Sequence, residues 1–111
     1  MISLDQETKK WLDETLFLVV KKMESVRERS ACKIPAVAVK GVHDDRSDES
    51  IDWDMDNGIN WWTNGFFGGI LWQLYHHTKD VRYGEIARVT EEKLDRCIFM
   101  YYGLHHDVGF M

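Results

Sequence analysis

The sequence has one proline, two cysteines and no long uninterrupted hydrophobic run. No apolar stretch approaches the roughly 20 residues that a membrane-spanning helix needs, so we predict no transmembrane segment. The N-terminus has no basic segment followed by an apolar run, and we therefore predict no signal peptide. Without an export signal, the distant Cys32 and Cys97 are expected to be free thiols. These absences favour a cytoplasmic location.

Clusters of positive charge are also lacking. The 14 Lys and Arg residues against 19 Asp and Glu give a net charge of −5. Nucleic acids and anionic membranes are therefore poor candidates for partners. Aromatic residues, in contrast, make up 13% of the 111 residues and include five Trp. This aromatic content indicates either a large core or a ring-lined pocket. The length corresponds to one domain or part of one, and the sequence does not indicate an oligomeric state.

An amphipathic helix is predicted from about residue 4 to residue 29. Ser3 and Gln6 have the spacing of a capping box, with Ser3 as the N-cap. The connection that follows, residues 31–60, is irregular apart from a brief extended piece at residues 36–39. Such a long loop in a small domain is usually functional or disordered. The apolar stripe of the helix recurs at steps of three and four: Leu12, Leu16, Val19, Met23 and Val26.

Three alternate acidic residues in this connection, Asp52, Asp54 and Asp56, superficially resemble a calcium-binding loop. An EF-hand loop has Gly at its sixth position and a bidentate acid at its twelfth. Counted from Asp52, these positions are Asn57 and Thr63, which fit neither role. We therefore predict no calcium site here.

Two further helices are predicted in the second half of the chain. The first begins near Trp62–Gly65 and ends at about His77, and Asp80 is the N-cap of the second, which ends near Gly103. Since the turn between them is short, we expect antiparallel neighbours. No strand pattern of any length is present, so the predicted fold class is all-α. The predicted buried face of the first helix consists of Phe67, Ile70, Leu71 and Leu74. On the second helix, eight residues fall on one face with a regular period: Tyr83, Ile86, Ala87, Thr90, Leu94, Cys97, Ile98 and Tyr101.

The most unusual segment is residues 60–72, in which large aromatic and aliphatic side chains surround three glycines. A core helix would favour Leu and Ala, because each helical Gly costs about 1 kcal/mol relative to Ala. Rings beside Gly indicate either a flat surface that binds a sugar ring or a helix packed closely in a core. This segment alone fits both interpretations equally.

A second informative segment lies at residues 104–111. Asp107 follows a predicted helix end and precedes an aromatic residue, Phe110, so we expect its carboxylate to be partly desolvated. Desolvation raises the pKa of a carboxyl group and suits it to proton transfer or to binding of substrate hydroxyls; the alternative is that Asp107 caps a following helix. We predict no metal site at His105, His106 and Asp107, because three consecutive residues rarely coordinate one ion and no CxxC or HExxH pattern is present.

Three motifs follow one another in this half of the chain: WTNGF at residues 62–66, GILW at residues 69–72 with TKD at residues 78–80, and HDVGFM at residues 106–111. Their order and spacing resemble the N-terminal part of the unsaturated glucuronyl hydrolases, which belong to glycoside hydrolase family 88. The resemblance covers about residues 58–111.

The resemblance implies an (α/α)6 barrel, of which residues 1–111 would be the N-terminal helical hairpins. The implied substrates are oligosaccharides left by polysaccharide lyases, which carry a 4,5-unsaturated uronic acid at the non-reducing end. In that family the vinyl ether is hydrated, and the resulting hemiketal opens to release the sugar and a keto-uronate. The resemblance implies no metal ion and no organic cofactor.

Carried over by position, Asp107 matches the first catalytic aspartate of the family, and His106 precedes it as in the family. Phe67–Gly68 departs from the more usual Trp-Pro or Trp-Thr, which affects the fine shape of the pocket. The second aspartate, the proton donor to the double bond, would lie beyond Met111, so we expect the 111-residue chain alone to be an inactive fragment. Three aromatic residues match those that pack around the unsaturated ring: Trp62, Phe66 and Phe110.

Two other interpretations remain open. The unsaturated rhamnogalacturonyl hydrolases share the barrel and an HD-type motif and differ in substrate. The other is a non-catalytic helical module whose exposed aromatic residues bind a partner chain. Glycoside hydrolysis usually needs two carboxyl groups, and the sequence offers one convincing candidate, which fits such a module.

Overall fold

The computed structural model describes residues 3–47, 58–101 and 103–111. Within these residues the chain is mostly helical, with one short β-hairpin. The helical class is therefore confirmed at this coarse level. The helices are α1 (Gln6–Arg29), α2 (Phe66–Thr78) and α3 (Val81–Phe99), and two 3-10 helices are η1 (Trp62–Gly65) and η2 (Val108–Phe110).

Helix α1 is capped by Asp5, and the predicted capping box of Ser3 and Gln6 is wrong. Asp5 Oδ1 accepts a hydrogen bond from the Thr8 backbone N–H at 2.8 Å, and Oδ2 accepts one from the Thr8 hydroxyl at 3.0 Å. A carboxylate is favoured at this position because the helix N-terminus carries partial positive charge. The bonds from Thr8 also hold the pKa of Asp5 below its usual value.

The β-hairpin lies between α1 and α2 in the chain. Strands β1 (Ala38–Val39) and β2 (Val42–His43) pair in antiparallel register. The two turn residues, Lys40 and Gly41, have φ values of +50° and +77°, and two positive φ values are what a tight type I′ turn requires. The brief extended piece predicted at residues 36–39 is therefore confirmed in its second half.

Helices α2 and α3 pack as antiparallel neighbours, as predicted. A Cβ atom added to Gly68, early in α2, would lie 3.5 Å from Thr90 Cγ2, in the middle of α3. One added to Gly84, early in α3, would lie 3.5 Å from the Tyr75 ring, late in α2. The facing sides form a core that also includes the last turns of α1: Val26, Phe67, Leu71, Leu74, Tyr83, Ile86 and Ala87.

Several side chains on the periodic apolar faces of the helices are exposed. Only the C-terminal end of α1 reaches the α2–α3 pair, so Val26 is buried while Leu12 and Val19 are each 40% exposed. Ile70 on α2 is 49% exposed because α2 turns its other side towards α3, and Ile98 near the end of α3 is 50% exposed. The burial prediction for Ile70 is therefore wrong, and the apolar faces that include Leu12, Val19 and Ile98 are buried only in part.

The predicted end of α3 near Gly103 is also wrong. The helix ends at Phe99, and the Met100 backbone N–H bonds to carbonyl groups of the last turn. Tyr101 then has a left-handed φ of +50°, which a helix cannot continue. Tyr101 therefore lies outside the helix and is exposed to solvent, contrary to the prediction that it continues the apolar face of the helix.

Two smaller predictions concern cysteines and calcium. Cys32 is exposed, Cys97 is buried, and both are free thiols as predicted. The acidic positions considered for calcium, Asp52, Asp54 and Asp56, lie outside the described residues. Among the helices that the structure describes, none is long and apolar enough to cross a membrane.

Asp80 joins the three helices, since it caps α3 and pairs with α1. Its Oδ1 accepts a hydrogen bond from the Arg82 backbone N–H at 3.0 Å, and its Oδ2 pairs with Arg27 of α1. The Arg27 guanidinium also lies 4.4 Å from the centroid of the Tyr83 ring. These contacts fix the C-terminal end of α1 against the turn between α2 and α3.

We expect Asp80→Ala to lower the free energy of unfolding by about 1–2 kcal/mol, because it removes an N-cap and the ion pair between Asp80 and Arg27. Chemical denaturation measures this change, and Asp95→Ala at an exposed position of α3 is the matched control. The hydrogen bond from Arg27 holds the pKa of Asp80 below its ordinary value of 3.8. The stabilisation is therefore present above pH 3.8 and is lost as the pH falls through the folded-state pKa. An equal loss in both variants at pH 7 would contradict this role.

Candidate functional site

The segment before α2 is held in a turn by a buried asparagine. The Asn64 side-chain amide donates hydrogen bonds to the carbonyl oxygens of Gly58 and Ile59, at 3.1 and 2.8 Å. Asn64 has no exposed surface. The chain then enters η1 and continues directly into α2, so the predicted helix start near Trp62–Gly65 is confirmed, with a 3-10 first turn.

The aromatic residues of the two informative segments form one cluster. The ring centroid of Trp62 lies 5.5 Å from that of Phe66 and 5.7 Å from that of Phe110, and Phe66 and Phe110 are 6.2 Å apart. All three pairs meet edge to face, which is a favourable arrangement of aromatic rings. Phe66 and Phe110 remain 45% and 55% exposed. This aromatic cluster (Trp62, Phe66 and Phe110) therefore presents a ring surface and is not part of the core.

Gly65 allows the two segments to meet. A Cβ atom at Gly65 would lie 2.7 Å from the Met111 carbonyl carbon and closer still to the carbonyl oxygens of Phe110 and Met111. No side chain fits in this space without displacing the backbone. The close backbone approach that the glycines indicate in the sequence is thus made at Gly65, whereas Gly69 has no atom within 4 Å of an added Cβ.

Asp107 lies in the turn that precedes η2, three residues before Phe110 of the aromatic cluster. Its side chain is 36% exposed, and Oδ2 lies 3.1 Å from Nε2 of the largely exposed His106. The Asp107 side chain is therefore partly buried and partly open to solvent. Asp107 occupies the cap position of η2, but its side chain makes no capping hydrogen bond. Within the described residues, the polar contact of its carboxylate is the one with His106.

His105 and Asn60 connect this turn to the segment before α2. His105 Nε2 lies 3.0 Å from the Asn60 carbonyl oxygen, and the Asp107 backbone N–H donates to His105 Nδ1 at 3.2 Å. The Asn60 side-chain amide donates to the Gly103 carbonyl oxygen at 3.1 Å. Gly103 has a φ of +64°, and a Cβ there would lie 2.8 Å from Asn60 Cγ. Residue 103 therefore needs to be glycine.

The side chains of His105, His106 and Asp107 offer donor atoms that all lie within 4.8 Å of one another. Both ring nitrogens of His105 already have hydrogen-bond partners, which leaves His106 and Asp107 as possible ligands. Protein zinc sites use three or four protein ligands. The three side chains as they stand therefore do not fit a metal centre.

A second feature, an apolar groove of about 440 Å³, lies between α1, the β-hairpin and α2. Phe66 contributes to it as well as to the aromatic cluster. At its edge, His43 Nδ1 lies 2.9 Å from the Ser30 hydroxyl, and burial together with nearby Lys33 lowers the pKa of His43. Its apolar lining includes residues from the apolar stripe of α1 and from the predicted buried face of α2: Val19, Met23, Val26, Phe67 and Ile70.

The described residues thus define a mostly helical polypeptide in which an exposed ring surface adjoins a His-His-Asp turn. Over 54 residues the chain is 46% identical to a protein from Bacillus sp. (strain GL1), "Unsaturated glucuronyl hydrolase". The match covers 45% of this chain and 14% of the length of that protein. No family model and no solved structure match the chain. The partial similarity supports a glycoside hydrolase-like origin.

Proposed function

We propose that this chain forms part of a glycoside hydrolase that removes 4,5-unsaturated uronic acid from the non-reducing end of oligosaccharides. The observation that carries this proposal is the 46% identity with unsaturated glucuronyl hydrolase over 54 residues. The arrangement of the aromatic cluster beside Asp107 supports it, since the motifs that resemble that family meet in space. Residues 1–111 would then be the N-terminal part of the catalytic domain.

The exposed face of α1 agrees with membership of a larger helical assembly. Trp11, Phe17 and Leu18 are each at least 60% exposed. Three such exposed apolar side chains on one helix are unusual in a complete domain. In an (α/α)6 barrel, neighbouring helices would cover them. We therefore propose that α1, α2 and α3 belong to the first hairpins of such a barrel.

The aromatic cluster suits a sugar ring because a pyranose has one apolar face and a rim of hydroxyl groups. Trp62, Phe66 and Phe110 would pack around the unsaturated uronate, while His106 and Asp107 would contact its polar rim. An exposed carboxylate accepts hydrogen bonds from hydroxyl groups or water. The polar and apolar halves of the proposed site therefore match the two surfaces of the substrate.

The chemistry is addition of water to the vinyl ether formed by C4, C5 and the ring oxygen. A proton adds to C4, and the positive charge at C5 is stabilised by the ring oxygen. Asp107 would orient the attacking water and accept its proton as the new bond to C5 forms. The resulting hemiketal opens and releases the sugar and the keto-uronate. A second acidic group, assigned in this proposal to a part of the enzyme outside residues 58–111, would protonate C4.

The function can be tested with two purified substrates, an unsaturated glucuronyl disaccharide and an unsaturated rhamnogalacturonyl disaccharide. The full-length enzyme of which residues 1–111 are proposed to be a part should abolish the ultraviolet absorbance of the first, with kcat/KM at least about 10-fold above that for the second. The reverse preference would change the substrate class and support the rhamnogalacturonyl alternative. Intact absorbance of both disaccharides would refute the proposal.

A further inference from the structure

The turn that carries Asp107 is held by a side chain next to it in the sequence. His105 Nδ1 lies 3.2 Å from the Asp107 backbone nitrogen, and His105 Nε2 lies 3.0 Å from the carbonyl oxygen of Asn60. Both distances are within hydrogen-bond range. One imidazole thus spans from the Asp107 backbone to a residue two positions before Trp62 of the aromatic cluster.

The two partners determine which nitrogen of His105 carries the proton. A backbone N–H is always a donor, so Nδ1 must be the acceptor in its bond with Asp107. A backbone carbonyl is always an acceptor, so Nε2 must donate to Asn60. The neutral Nε2–H tautomer is the one protonation state that makes both bonds. In a cationic imidazole or the Nδ1–H tautomer, the hydrogen on Nδ1 would face the hydrogen of the Asp107 backbone N–H, and neither nitrogen could accept.

We propose that His105 is a positioning residue: as its Nε2–H tautomer it accepts the hydrogen bond from the Asp107 backbone N–H, and this bond sets the position of Asp107 beside the aromatic cluster. This inference rests on the proposed catalytic role of Asp107. The second link, from the Asn60 side-chain amide to the Gly103 carbonyl oxygen, fixes the other end of the turn. His106 does not have this role, since its side chain is 81% exposed and its polar contact is with the Asp107 carboxylate.

Two substitutions separate the halves of this link. His105→Asn keeps an acceptor at the position of Nδ1, because an Asn oxygen readily accepts from the N–H two residues later in an Asx-turn. His105→Gln is closer in size and reaches the position of Nε2, so it keeps the donor to Asn60 and loses the acceptor for Asp107. If the hydrogen bond to the Asp107 backbone is needed for activity, His105→Asn should retain more activity than His105→Gln, although Asn is smaller.

The test combines kinetics on the unsaturated disaccharide with nitrogen NMR of the histidine-labelled polypeptide. The ring-nitrogen shifts of His105 should identify the Nε2–H tautomer. His105→Gln should lower kcat by about 10- to 100-fold, with KM changed by less than about 3-fold, because Asp107 is misplaced in the transition state. His105→Asn should retain kcat within about 5-fold of the wild type. His77→Asn, at an exposed position of α2, is the matched control and should leave both parameters unchanged.

Equal losses of kcat in the Asn and Gln variants, or a cationic or Nδ1–H imidazole in the wild type, would overturn the inference. Full activity in both variants would do the same. If these variants remain active while Asp107→Asn is inactive, the positioning role fails and the proposed function survives. If Asp107→Asn is itself active, the proposed function fails, whatever the tautomer of His105.

Discussion

Asp107→Asn should lower turnover of the unsaturated glucuronyl disaccharide by about 10²- to 10⁴-fold, the usual contribution of a positioned general acid or base. The substitution is nearly isosteric and keeps one carbonyl oxygen near His106, while it removes the negative charge and the capacity to accept a proton. The variant should therefore fold normally and bind the substrate with little change in KM. The rate of absorbance loss measures the effect.

The matched control for this substitution is Asp95→Asn, at an exposed position of α3. It makes the same change of charge away from the aromatic cluster, so we expect activity within about 2-fold of the wild type, as for most exposed sites. A loss of turnover in both variants would point to net charge and not to catalysis. Near-normal turnover by Asp107→Asn would remove Asp107 from the mechanism.

Gly65→Ala should lower the free energy of unfolding by about 1–3 kcal/mol, the usual cost of overpacking. The backbone itself does not require glycine there, since φ is −76° and ψ is −17°, and Ala has the higher helix propensity. The cost arises because the added Cβ would overlap the backbone of Phe110 and Met111. Pushing this segment away would separate Phe110 from Trp62, so near-ultraviolet circular dichroism of the rings should change too.

Gly69→Ala is the control for Gly65→Ala. Gly69 lies within α2, and a Cβ there would meet no atom within 4 Å. Its replacement should stabilise the helix by up to about 1 kcal/mol. Opposite signs for the two substitutions in chemical denaturation are therefore expected. A stabilising Gly65→Ala would mean that residues 110–111 do not pack against η1.

The sequence predicted the α2–α3 hairpin well, because both its periodicity and its cap are local signals. Asp80 is a strong N-cap, and the apolar residues of α3 up to Cys97 have a regular helical spacing. The predictions failed where burial depends on distant partners. Ile70 and Val19 both fit the helical periodicity of apolar residues, but their side chains line the groove and are not buried in the core.

The candidate site was predicted in part. The family resemblance grouped Trp62, Phe66 and Phe110, and the structure brings these rings together. Neither spacing nor composition could reveal the link between His105 and Asn60. It joins a side chain to a backbone carbonyl 45 positions away in the sequence, and any residue type at position 60 supplies such a carbonyl.

The most direct test of the proposed site is a crystal structure of the Asp107→Asn polypeptide with an unsaturated glucuronyl disaccharide, which the variant should bind without converting. We expect the unsaturated ring against Trp62, Phe66 and Phe110, with a substrate hydroxyl or a water within about 3 Å of the carboxamide at position 107. A disaccharide bound elsewhere, with the aromatic cluster covered by other parts of the protein, would contradict the proposed site.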